Sequence, residues 1–217
     1  MQENPIVSWL EQGDWGEDAL RIQTLRAWEH YPLLLEAYHT LREEALFQSW
    51  IHGPAHIHRV LLLSALVCQG EGLEAEMVRQ VLRAASYHDV GRTFDGYDIY
   101  HGARSALRLE ELTGQTGENL VELQAAVTAH SRPDRDMESV VASFHPQNLP
   151  RALELTRLLK DGDNLDRVRL GDLDPRFLRH QSAKSLTDFA HRLFQRYPGE
   201  GNDGRPLFRP GGELCEK

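Results

Sequence analysis

Apolar residues recur every three or four positions through most of this chain, and nowhere do they alternate with polar ones in a run that demands a sheet. That periodicity confines the fold to the all-α class. It predicts helices over residues 17–28 (Leu20, Leu25, Trp28) and over 32–50, opened by Pro32. The Gly53-Pro54 break opens another, running through Leu61, Leu62, Leu63, Ala65 and Leu66 until Gly70 and Gly72. Further helices are predicted over 74–87, from His101 onward, over 118–130, briefly over 136–144, from Pro150 to 167 and over 182–197. Residues 1–16 are polar, with Trp9 and Trp15 as anchors on the domain surface, while the Gly- and Pro-rich residues 198–217 read as an irregular tail laid down through Leu207 and Phe208. A chain of 217 residues that is 41% hydrophobic is expected to bury one core. Residues 1–50 then form a helical cover, 51–197 the part that carries the chemistry and 198–217 the tail of a single structural domain.

The net charge of −9 argues against broad adhesion to a nucleic-acid duplex or an anionic lipid surface, and leaves room for a small anionic ligand in a local basic pocket. Cys68 and Cys215 lie far apart in a Cys-poor chain, which suggests neither a disulfide framework nor a thiolate zinc site and predicts a reducing compartment. Met1-Gln2-Glu3-Asn4 lacks the basic start and apolar core of a signal peptide, and the best apolar run, 60–68, is too short to span a bilayer. A cytoplasmic protein without a membrane partner is the expectation. Nothing in the pattern specifies an oligomeric state.

The chain carries 11 histidines, several of them where a helix starts or stops beside an acid. In Ala84-Ala85-Ser86-Tyr87-His88-Asp89-Val90-Gly91-Arg92, an apolar helix runs directly into an adjacent His-Asp pair. Alone, such a pair reads as a helix end in which the His satisfies the last carbonyls and the Asp caps the next turn. The same kind of position recurs, however. His56 sits in the first turn after Gly53-Pro54, His101-Gly102 at a helix entrance, His130 at a helix end before Pro133, and Asp163 in an acid-dense end to the stripe of Leu153, Leu155, Leu158 and Leu159. Imidazole and carboxylate together suit a divalent transition metal such as Mn, Fe, Co, Ni or Zn, with coordination positions left for water and substrate. Attack of metal-activated water on phosphorus is the chemistry such a site does most readily.

The ordered set His56-x-x-Arg59-Val60, Tyr87-His88-Asp89-Val90-Gly91-Arg92 and Asp161-Gly162-Asp163-Asn164-Leu165 resembles the HD-domain superfamily of metal-dependent phosphohydrolases, over roughly residues 51–184. The resemblance implies an HD-domain-like helical bundle in which His56, His88, Asp89 and Asp163 are the metal ligands. Asp163 is favoured over Asp161 because the Asn-Leu after it is similar to the family's Asp-Arg-Leu. It further implies that Asp89 is able to bridge two metals and that His101 and His130 complete a second site, giving one or two ions per chain. His52, with Gly53, resembles a His-Gly that precedes the first ligand in one subgroup, where it is placed to act as a general acid. Arg59, Arg92, Arg104 and Arg132 lie near the ligands in sequence and offer guanidinium groups to phosphate oxygens, Arg92 and Arg132 most directly; the other reading is pairing with nearby acids. The loop 94–100, with its aromatics, either stacks on a base or sugar or covers the core.

The expected function is that of a metal-dependent phosphohydrolase or phosphodiesterase acting on a nucleotide or other small phosphate ester. Three further readings stay open: a phosphodiesterase acting on phosphoribosyl-linked ubiquitin, which the His-Gly entrance also resembles; a di-iron oxygenase, which a related architecture hosts; and a non-catalytic module regulated by a metal or nucleotide.

Overall fold

A computed structural model describes residues 4–199 and residue 205. The described residues are all-α and contain no strand. Helices α1 (Pro5–Gln12), α2 (Ala19–Arg26) and α3 (Tyr31–Thr40) lead into the long α4 (Pro54–Glu71) and α5 (Ala75–Tyr87). After a loop come α6 (His101–Ala106), α7 (Leu109–Thr113), α8 (Gly117–His130), α9 (Asp134–Ala142) and α10 (Leu149–Leu165). The chain closes with α11 (Gln181–Lys184) and α12 (Thr187–Arg196).

Helix α4 is the axis. Every residue from His56 to Cys68 is buried, which is the pattern of a helix surrounded on all sides. Its neighbours are α3, α5, α10, α11 and α12. Ile6, Leu10, Leu25 and Leu34 from the N-terminal helices join the same apolar cluster as Leu61, Leu62 and Leu63. A smaller cluster of Ala125, Ala129, Val141, Ala152 and Leu153 holds α8, α9 and α10 together.

Several predicted elements differ in extent. Residues 1–16 are more than a polar anchor: α1 buries Ile6, Val7 and Leu10, and the Asn4 side chain caps it on the Ile6 amide with Pro5 as the first helical residue. The helix expected over 32–50 stops at Thr40, because Leu41 turns extended and the Arg42 amide leaves to donate to the Tyr87 hydroxyl at 3.1 Å. The segments from His101 and over 182–197 are each two helices rather than one. The expected contacts of Leu207 and Phe208 lie outside the described residues. None of the described helices is long and apolar enough to cross a membrane.

The crossing of α4 and α10 depends on Gly162, where an added Cβ would lie 2.1 Å from the Ser64 Oγ and 3.3 Å from its Cβ. The close approach sets α10 so that Asp163, the next residue, arrives beside His56. Gly162→Ala is expected to lower unfolding free energy by about 1–3 kcal/mol through overpacking, and adding Ser64→Ala to recover part of it, as read by urea denaturation. A second tie joins α10 to the segment before α11: Asp161 accepts from the Arg179 and His180 amides at 3.0 and 2.9 Å and from His180 Nδ1 at 2.8 Å. The bonds to Asp161 and Glu154 raise the His180 pKa to about 9, against the effect of burial. Its contribution is therefore complete below the unfolded value of about 6.5 and lost as pH rises through about 9. Wild type is expected to lose more stability than His180→Gln between pH 6 and pH 9.5, which parallel urea titrations measure; equal losses would remove His180 from this role.

Candidate metal centre

Five helix ends meet at one place. Helix α4 presents His56 in its first turn, α5 ends on Tyr87 with His88 next, α6 begins with His101, α8 ends with His130, and Asp163 lies in the last turn of α10. The α6–α8 contact needs Gly102: a Cβ there would lie 2.4 Å from the Val127 carbonyl and 3.1 Å from His130 Nδ1, so only glycine lets His101 reach His130.

All four imidazoles are oriented the same way, with Nδ1 turned out and Nε2 turned in. His88 Nδ1 donates to Ala85 O at 2.9 Å, His101 Nδ1 to Asp98 O at 2.5 Å and His130 Nδ1 to Val127 O at 2.5 Å, each a carbonyl three residues earlier. A carbonyl only accepts, so each of these Nδ1 atoms carries a proton, which in the neutral imidazole leaves Nε2 a lone pair. His56 Nδ1 donates instead to Asp166 Oδ2 at 2.7 Å. The inward nitrogens then crowd, His56 against His88 at 3.1 Å and His101 against His130 at 2.9 Å.

Asp89 stands between the two pairs. Its Oδ2 faces His56 and His88 at 3.6 and 3.9 Å, and its Oδ1 faces His101 and His130 at 3.0 and 3.6 Å. Asp163 Oδ1 completes the first group, 3.5 Å from His56 and 3.7 Å from His88. The ligand atoms of His56, His88 and Asp163, and likewise those of His88, Asp89 and His130, lie within 4.8 Å of one another, close enough to hold a metal ion.

The charges support a cation here. Burial pushes His56 down to about 3 and His130 to about 4, so both are neutral donors of a lone pair. Asp89 and Asp163 are held well below the usual carboxylate range, because His88 and the other neighbouring donors and positive charges outweigh the burial that opposes ionisation. Burial likewise opposes a charge on His88, yet the two carboxylates prevail and raise its pKa. Asp89 Oδ1 is buried without a hydrogen-bond partner. An orphaned carboxylate oxygen among converging nitrogen lone pairs fits a divalent ion, with Asp89 offering one oxygen to each of two subsites.

Asp166 has the outer role that the sequence reading did not assign. It is fully buried, takes both Arg59 Nε (2.6 Å) and Nη2 (2.8 Å), and is held at about 2 by Arg59, His56 and Arg169 despite its burial. Arg59 gives its remaining bonds to Tyr197 O and Pro198 O. It is thus a correction to the expected substrate-binding set: a guanidinium sealed in the core and fully engaged has nothing to offer a phosphate. Arg104 is corrected likewise, because its Nε donates to Gly91 O at 2.8 Å and its other end pairs with Asp98. The available signal was spacing, since His56 and Arg59 share a helix face and a buried Arg requires an acid.

Arg92 and Arg132 do reach the cleft of about 830 Å3 that opens over the centre, together with His52, His101, His130 and Asp163. Arg92 Nε lies 2.9 Å from Asp89 Oδ2. His52 is buried with Nδ1 2.9 Å from Asp95 Oδ1, and burial followed by Arg169 lowers its pKa to about 4. Burial thus works against the charged form that the expected general acid requires. Asp161, passed over for Asp163, is consumed by Arg179 and His180. His58 points away from the centre to Glu43 and Tyr197.

Elemental mass spectrometry on protein purified without a metal-binding tag is expected to find about two ions per chain when both subsites are filled, about one in His130→Ala and fewer in His88→Ala. Unchanged content in His88→Ala would reject the centre. Scanned against protein-family models, curated proteins and solved structures, the chain finds no match.

Proposed function

We propose that this protein hydrolyses phosphate esters or diesters with the help of one or two divalent transition-metal ions. The observation that carries the reading is Asp89, whose two carboxylate oxygens face two separate pairs of inward imidazole nitrogens at the floor of a cleft. The motif resemblance to the HD-domain phosphohydrolases supports it independently.

His56, His88, Asp89 and Asp163 would hold one ion and Asp89, His101 and His130 a second. Bound there, a divalent ion supplies Lewis acidity, making water a nucleophile at neutral pH and drawing charge from phosphoryl oxygens. The reaction adds the water oxygen to phosphorus, and the ester oxygen leaves with the bonding pair and takes up a proton. The Nδ1 bonds to carbonyls and to Asp166 hold each imidazole in the tautomer and direction that coordination requires. Neutral His52, its Nδ1 proton directed at Asp95, has Nε2 free to accept a proton rather than to donate one. Arg132 is the guanidinium that remains at the cleft for a phosphoryl oxygen, while Arg92 is held beside Asp89.

Chelator-stripped protein reloaded singly with Mn, Fe, Co, Ni or Zn and assayed on p-nitrophenyl phosphate and bis(p-nitrophenyl) phosphate is expected to turn over at least one ester, and only when reloaded. Asp89→Ala should cost more than the roughly 10–100-fold that losing an outer partner of a metal ligand costs. Full activity in that variant, or oxygen consumption by the iron form without ester hydrolysis, would overturn the reading.

A further inference from the structure

Among the described residues five cations of Arg and Lys line the cleft, and four of them are already spent. Arg92 lies 2.9 Å from Asp89, Lys160 2.9 Å from Asp134, and Arg179 2.7 Å from Asp134 and 2.9 Å from Asp161, while Arg167 is paired with Asp172. Arg132 is the exception. Among the described residues it alone of the five has no carboxylate partner, and its guanidinium carbon rests 5.5 Å from the centre of the Tyr100 ring. The ring orients the cation without neutralising it. The wall around it also carries Asp95, which is held by Ser49 and His52 rather than by a guanidinium or ammonium group, so each phosphate beyond the first would meet negative charge with no free cation to answer it.

The aromatic residues add a second constraint. The exposed large aromatics of the described chain are Phe94, Tyr97, Tyr100 and Phe177, and all lie on two loops beside this cleft. Tyr97 is 88% exposed and Phe177 62% exposed, and both line the cleft itself. Apolar rings left in water at a cleft mouth are placed to cover a flat group on a ligand.

We infer, resting on the hydrolase reading above, that the substrate carries a single phosphoryl centre joined to a flat ring system, with Arg132 taking the phosphoryl oxygens and Tyr97 and Phe177 flanking the ring, and that polyphosphate chains are discriminated against. A nucleoside monophosphate and an aryl phosphate share this chemistry. A monoester phosphate brings about −1.5 to −2 charges at neutral pH, a load that one guanidinium and the ions of the centre match.

Calorimetric titration of metal-loaded protein, at constant free metal, with AMP, phenyl phosphate, glycerol phosphate, ATP and tripolyphosphate separates the possibilities. AMP and phenyl phosphate are expected to bind about five- to a hundredfold tighter than glycerol phosphate, and the ratio between the two says which ring the cleft prefers. ATP and tripolyphosphate are expected to bind at least about tenfold more weakly than AMP. Arg132→Ala should weaken all three monophosphates about ten- to a hundredfold, with partial rescue in Arg132→Lys. Tyr97→Ala, at an exposed position that folding does not need, should weaken only the two ring-bearing ligands. ATP binding as tightly as AMP, or unchanged monophosphate binding in Arg132→Ala, would overturn the inference. Ester hydrolysis without these preferences would sink the inference and leave the hydrolase reading intact, whereas the preferences without hydrolysis of any ester would do the reverse.

Discussion

The buried carboxylate of Asp166 is the interaction on which the centre depends. It joins α4 to the turn after α10 through Arg59, reaches the end of α12 because Arg59 also binds Tyr197 O and Pro198 O, and fixes His56 through Nδ1. Burying an ion pair is seldom a net gain over apolar residues of the same shape, yet removing one partner strands a charge and costs about 3–5 kcal/mol. The pair therefore acts mainly as a positional lock. A metal ligand oriented by a carboxylate that is itself oriented by a guanidinium keeps little freedom to rotate.

From that lock outward the centre is an electrostatic compromise. Two buried carboxylates, Asp89 and Asp163, stay ionised where burial opposes it, and four imidazoles turn their Nε2 atoms toward one another in pairs at 3.1 and 2.9 Å. Helix ends make this geometry attainable. At the ends of α5 and α8 the carbonyl three residues back binds the Nδ1 proton, and α6 begins with the same arrangement drawn from the preceding loop. The bundle supplies the rigidity, since α4 is buried along most of its length and closes on α10 at a glycine.

Much of this was legible in the sequence. The helical period appears because each helix buries a stripe, and the six proposed ligands stood out as His and Asp at helix boundaries, where side chains of neighbouring helices can converge. All six do meet. Helix α1 was missed, because its few apolar residues are outweighed by polar ones around them; the Asn4-Pro5 cap is the local signal that marks it. The early stop at Thr40 was not, because what ends α3 is a bond from Arg42 to Tyr87, a residue of α5.

The sequence by itself determined the class of the fold, the boundaries that carry the ligands, and the chemical identity of those ligands, all properties of near neighbours along the chain. Only the tertiary structure decided which charges are spent. Arg59 and Arg104 share with Arg132 a position near the ligands in sequence, but the first two are consumed by Asp166 and Asp98 while Arg132, among the described residues, rests on an aromatic ring without a carboxylate partner. Tertiary contacts likewise bury His52 against Asp95, where desolvation works against a charged imidazole. The reason is physical: charge compensation and desolvation depend on groups that folding brings together from across the chain, His56 and Asp166 lying 110 residues apart, and no local pattern records such a pairing.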